Sequence, residues 1–241
     1  VRQRRGRVGP VRPDTCVPDF AGELDQGILQ MHSSAYKNPA HLQPGRVLVV
    51  GASHSGGDIA FETGMAGHPT VLSGRIRGEV PFDIEGRPAQ AIFPVLFFLA
   101  KHLLTIRTPL GRKIRPEVRA HSGPLIRVKR GDLARAGVEM VPERTVGVRD
   151  GLPLLDGGRV LDVANVVWCT GFRQDFSWID LPVTGDEGWP LETRGVVPSS
   201  PGLYFVGLAF QYAFASMLVG GAGRDAEYVV EHLCAQRGVA V

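Results

Sequence analysis

Apolar residues in this chain come mostly in short unbroken runs rather than long periodic stripes. Val47–Val50 stops at Gly51, the run within 69–75 reaches Gly74, and the run from Val163 ends in Thr170-Gly171. Runs that short, rich in β-branched residues, predict strands buried on both faces, as in a parallel sheet. From Gly137 the pattern shifts to residues 138–141, 145–148, 152–155 and 159–161, broken by Asp150-Gly151 and Asp156-Gly-Gly158. Those are hairpin signals and predict a small antiparallel meander. Residues 202–207 predict one more short strand ending in glycine. Helices are expected after Gly56, over the apolar run that starts at Ala91, and over about 223–237. In the last, Ala226, Val229, Val230 and Leu233 share one face. Residues 13–45 (breakers Pro13, Pro18, Pro39 and Pro44), 76–90 and 175–201 read as irregular. The fold class is α/β.

Composition narrows this little. The chain has 241 residues, 44% apolar and 21% charged, which suits a globular core. Its three cysteines, Cys16, Cys169 and Cys234, lie far apart. They offer no disulfide framework, no zinc site and no Cys-x-x-Cys redox pair, so a reducing, cytoplasmic setting is expected and no metal. The net charge of +3 misleads, because Arg2, Arg4, Arg5, Arg7 and Arg12 supply +5 and the remainder is 22 − 24 = −2. Residues 1–16 read as a basic disordered arm or remnant rather than a nucleic-acid arm. No apolar stretch follows those arginines as in a signal peptide.

Candidate chemistry begins where the Val47–Val50 run ends. Gly51-Ala52-Ser53-His54-Ser55-Gly56 has the frame of a dinucleotide-binding turn, with serine at the middle glycine position. Gly51 permits the tight turn, a small residue at 53 permits close approach to a pyrophosphate, and Gly56 lets the helix lie against the strand. The helix's free N–H groups then face the phosphates. Gly56, Ala60 and Gly64 give that helix a narrow face. At the end of the next strand stand Ser73, Gly74 and Arg75, where NAD-preferring units carry a carboxylate. A hydroxyl and a guanidinium suit a 2′-phosphate, which points to NADPH.

Phe20-Ala-Gly22, His32-Ser-Ser-Ala-Tyr36 and then a strand with a glycine turn resemble the fingerprint leading into the NADPH domain of flavin-containing monooxygenases. Nine residues separate Gly22 from His32, more than the family spacing, which places the chain in a looser flavin-monooxygenase-like group. The resemblance implies a two-dinucleotide flavoprotein that passes hydride from NADPH to FAD and then activates oxygen on a small organic substrate. It also implies that Cys169-Thr170-Gly171 ends the strand returning to the FAD domain, and that Gly207 sits beside the flavin's ribityl chain. Phe210, Tyr212 and Phe214 either border the flavin ring or form an aromatic core. Arg173 and Arg224 read as surface arginines.

The domains expected are a linker over 17–44, an NADPH-binding domain over 45–165, and the C-terminal part of an incomplete FAD-binding domain over 166–241. The family's first FAD-binding glycine turn has no counterpart in residues 1–44. The chain is therefore expected to be a partial flavoprotein that binds NADPH and holds FAD weakly or not at all. The alternative is a non-catalytic NADP-binding module that needs a partner chain for FAD. A disulfide-reductase reading lacks its Cys-x-x-Cys. No catalytic side chain stands out. The apolar run at 91–100, followed by eight basic residues against one acid over 107–130, reads as a helix packed on the domain or lining a substrate entrance, with an interfacial membrane helix as its rival.

Overall fold

The computed structural model describes residues 13–120 and 123–237; of the basic disordered arm expected over 1–16, residues 1–12 lie outside them, whereas Pro13–Thr15 forms a strand. Its elements in chain order are β1 Pro13–Thr15, β2 Leu29–His32, β3 Val47–Val50, α1 His54–Met65, β4 Thr70–Ser73, α2 Arg87–His102, α3 Pro109–Ala120 and α4 Arg130–Arg135. They continue with β5 Glu139–Val141, β6 Thr145–Arg149, β7 Leu152–Leu155, β8 Asn165–Trp168, β9 Phe172–Gln174 and α5 Val219–Arg237. Contacts divide the described residues into two units, one of 15–95 with 120 and 123–171, the other of 13–14, 96–119 and 172–237.

The first unit is built on a five-stranded sheet in the order β2-β8-β3-β4-β5, every pair parallel. All four residues of β3, β4 and β8 are buried, as a parallel sheet covered on both faces requires. The period of two splits the core in half. Leu48, Val50, Val71, Val166 and Trp168 pack on one face with Leu24, Ile28 and Leu161. Val47, Val49, Leu72, Val167 and Cys169 pack on the other with Ile59 and Ala60 of α1 and Leu133 of α4. The fold is a mixed α/β fold of the dinucleotide-binding type, as expected.

Three details depart from the sequence reading. The run ending at Trp168, assigned there to the second domain, is β8 and lies between β2 and β3 inside the first sheet. Its partner β2 falls within the expected linker. Residues 139–141 are not part of a meander but form the parallel edge strand β5, while the antiparallel portion shrinks to β6 and β7 plus one bridge from Leu154 to Val160. Hairpin glycines mark where the chain turns and carry no information about which neighbour a strand will find.

The second unit is loop-rich. Phe176, Val183, Val197, Phe205 and Leu208 form its core. The Glu192 side chain, almost fully buried, accepts the Gly195 N–H at 2.7 Å and lies 3.4 Å from Arg115 and 3.6 Å from Arg119. Gln211, fully buried, accepts the Leu208 N–H and donates to the Phe205 carbonyl. The strand expected at 202–207 is reduced to a single bridge between Val196 and Tyr204. α5 starts at Val219, four residues ahead of the expected start. Among the described residues no helix is long and apolar enough to cross a membrane.

Candidate functional site

Because β3 and β4 are parallel and in register from Val47↔Thr70 to Val50↔Ser73, their C-terminal ends open on the same edge of the sheet. There the chain leaves β3 at Gly51 (φ +108°) and enters α1 with Ser53 as an extended N-cap residue that makes no side-chain cap bond. The first helical N–H groups lack an intrahelical acceptor by geometry, and no acid stands in the first turn. The turn is tight enough to demand its glycines. A Cβ on Gly51 would stand 2.3 Å from the Cys169 carbonyl oxygen, and one on Gly56 1.8 Å from that of Gly51. Farther along the same face, a Cβ on Gly64 would stand 2.7 Å from the Ala136 carbonyl oxygen just after α4, so the narrow face is used.

A cleft of about 990 Å³ opens over this turn. Its lining brings together seven of the twelve residues singled out from sequence: Gly51, Ala52, Ser53, Ser73, Arg75, Cys169 and Thr170. His54, Ser55 and Gly56 lie in the first turn of α1 beside it. Sequence reasoning missed Gly74, Arg77, Arg144 and Thr145, which also line it. The signal for Gly74 was at hand, since it follows β4 directly. Arg144 and Thr145 arrive through β5 and β6, whose placement the turn signals did not reveal. Among the described residues no carboxylate lines the cleft, and Arg75 and Arg144 in its lining are exposed. An arginine rim without acids repels nothing on a phosphate and has no group to hold the paired hydroxyls of an unphosphorylated ribose.

Ser73 requires a correction. Its hydroxyl is buried, donates to the Glu143 carbonyl at 2.9 Å and sits 3.0 Å from the Thr145 hydroxyl. It is committed to holding the segment after β5 against β4, so it offers no free hydroxyl to a 2′-phosphate. Burial pushes the Cys169 thiol up to about 12.

The turn after β8 is braced by the N-terminal segment. Gly171 (φ +86°) accepts from the Cys16 N–H at 3.1 Å and from His32 Nε2 at 3.0 Å, and the Thr170 hydroxyl donates to the Cys16 carbonyl. The Ser34 N–H donates to His32 Nδ1, which fixes Nε2 as the protonated nitrogen. Tyr36 donates to Glu62 Oε2 at 3.0 Å, tying the same segment to α1, and burial beside that carboxylate raises its phenol above the usual range. His32 and Tyr36 therefore hold the two glycine turns in place.

Gly207 lies in the second unit at φ +86°, with open space where a Cβ would be. Phe210 is fully buried and stacks edge-on with Phe214. Arg224, read as a surface arginine, instead lies 4.3 Å from the Tyr212 ring and donates to the Lys101 carbonyl.

Residues 13–113 match the model of a family described as flavin-binding monooxygenase-like. The chain is 36% identical over 218 residues to an uncharacterized oxidoreductase, CzcO-like, of Geobacillus kaustophilus, covering 90% of this chain and 60% of the relative. It is similar in fold to a flavin-containing monooxygenase from Stenotrophomonas maltophilia, with a TM-score of 0.61 at 19% identity over 92% of this chain and 59% of the other. A second likeness is to the cadaverine monooxygenase DfoA of Erwinia amylovora, solved bound to FAD, with a TM-score of 0.55 at 14% identity over 89% of this chain and 57% of the other. The chain thus spans about 60% of the length of these three proteins.

Proposed function

We propose that this chain is of the flavin-monooxygenase-like oxidoreductase type, that its cleft binds NADPH and that it serves a flavin-dependent oxidation; the match of residues 13–113 to that family's model and the 36% identity to a CzcO-like oxidoreductase support the reading. The observation that carries the cofactor reading is the cleft without carboxylates over an uncapped helix start. NADPH fits the residues present. Gly51, Ala52 and Ser53 leave backbone room for the pyrophosphate, the first N–H groups of α1 face it, and Arg75 and Arg144 suit the 2′-phosphate. When bound, the nicotinamide supplies hydride to a flavin, which carries the oxygen chemistry. The protein's part is to bind, to orient and to exclude water.

For FAD the fit differs. Among the described residues only the β3–α1 connection has the strand, glycine turn and helix that cradle a pyrophosphate, so no step through the flavin is assigned to residues of this chain. In a second reading the described residues act as an NADP-binding module and the FAD site lies outside them. NADPH oxidation in the presence of added FAD and oxygen, with and without a candidate FAD-bearing chain, separates the two. The first reading expects turnover from this chain plus FAD, the second turnover only with the partner.

The cofactor reading is tested by calorimetric titration with NADPH and NADH. Arg75→Ala and Arg144→Ala should each weaken NADPH binding about tenfold or more, the loss of one charge-assisted bond, and leave NADH nearly unchanged. A wild-type chain that prefers NADH overturns it.

A further inference from the structure

The cleft takes only Ala120 from the end of α3 and nothing from α2 or from the turn between them, yet this stretch has an unusual surface. Leu96, Phe98 and Leu99 of α2, Leu103 in the turn after it and Leu110 in α3 are all exposed, Phe98 at 61% and Leu110 at 48%. At 100° per residue, Leu96, Phe98 and Leu99 fall within about 160° of the circumference of α2. A soluble surface shows such residues singly, not as a continuous stripe.

Charge identifies the occupant. Between Glu85 and Glu117 the chain carries six Lys or Arg and no acid. Arg107, Arg112 and Lys113 are exposed, and Lys101 is half-buried. Arg112 donates to the Ile106 and Arg107 carbonyls in the turn after α2. A second copy docked on this face by a twofold axis would set cations against cations, which is unfavourable. An anionic lipid surface meets both demands at once: acyl chains accept the leucines and phenylalanines, and headgroups accept the basic side chains, whose long stems reach outward. α2 has 16 residues with Pro94 inside it, so it suits lying in the interface rather than spanning.

We infer that the stripe on α2, with its basic flank through α3, docks the chain on anionic phospholipid. The inference is independent of what the nucleotide cleft binds. It is tested by flotation of the full chain with vesicles of phosphatidylcholine alone and with vesicles in which about a third of the lipid is phosphatidylglycerol. Binding is expected only with the anionic vesicles. It should fall about tenfold or more in the double variant Phe98→Glu/Leu99→Glu and similarly in Arg112→Glu/Lys113→Glu, with wild-type circular dichroism and melting temperature. No flotation with anionic vesicles overturns the inference. So does flotation that survives Phe98→Glu/Leu99→Glu, which would place the contact on charge elsewhere, such as Arg2 to Arg12. Light scattering that shows a dimer broken by Phe98→Glu/Leu99→Glu also overturns it, and gives the face to a second copy.

Discussion

At the scale of single residues, the glycine turn was open to reading because its constraint is local. Gly56→Ala would put a methyl 1.8 Å from the Gly51 carbonyl oxygen, and only backbone movement relieves it. The expected cost is about 1–3 kcal/mol, seen as a lower melting temperature, together with loss of NADPH binding because α1 no longer starts at the cleft. Ser73 was misread for the opposite reason. Its type and place after β4 fit a phosphate contact, but its hydroxyl points where Glu143 and Thr145 stand, some seventy residues on. No local pattern reports that. Cys169 gives a pH signature. Its thiol ordinarily ionises near 9 and is held up to about 12 when folded, so above pH 9 the unfolded chain loses a proton that the folded chain keeps. Stability contributed by the neutral thiol is therefore present below about pH 9 and lost as pH rises, at roughly 1.4 kcal/mol per unit. Urea unfolding at pH 8, 9 and 10 should show this slope, and Cys169→Ala should show it reduced by about one proton.

At the scale of elements, strands were easier to find than their neighbours. Four buried residues between breakers announce β3, β4 and β8, yet nothing in Asn165–Trp168 says that it will lie between β2 and β3. What fixes β8 there includes a side-chain contact invisible to periodicity. Asn165, fully buried, accepts the Gln43 N–H at 2.9 Å and donates to the Gln43 carbonyl at 2.9 Å, tying the start of β8 to the segment entering β3. Asn165→Ala removes both bonds and leaves two backbone groups without partners in a dry place, at about 1–3 kcal/mol. A fall in the urea midpoint with unchanged slope is expected, since the surface exposed on unfolding stays the same. The meander was overread because Asp-Gly pairs specify turns and not sheets. β5 joins β4 in parallel through the α4 crossover, which needs only that Leu133 and Val138 reach the apolar face above the sheet.

At the scale of the molecule, the linear division into residues 45–165 and 166–241 gives way to an interleaved one. The chain passes between the two units at 14/15, 95/96, 119/120 and 171/172, so no single cut separates them. Sequence could not show this, because composition shifts only weakly at those points and α2 runs unbroken across one of them. Every residue lining the nucleotide cleft nevertheless falls in the unit of 15–95, 120 and 123–171. Ligand binding stabilises the structure that forms the site, by about 2.7 kcal/mol at a hundredfold excess over the dissociation constant, and amide exchange shows which segments share in it. Hydrogen exchange with saturating NADPH should therefore slow at residues 47–57, 72–75 and 168–171 and stay unchanged over the core of the second unit at 176–208. Protection that extended equally into 176–208 would show that the two units open as one, and the interleaved chain, rather than the sheet alone, would then be the element the nucleotide stabilises.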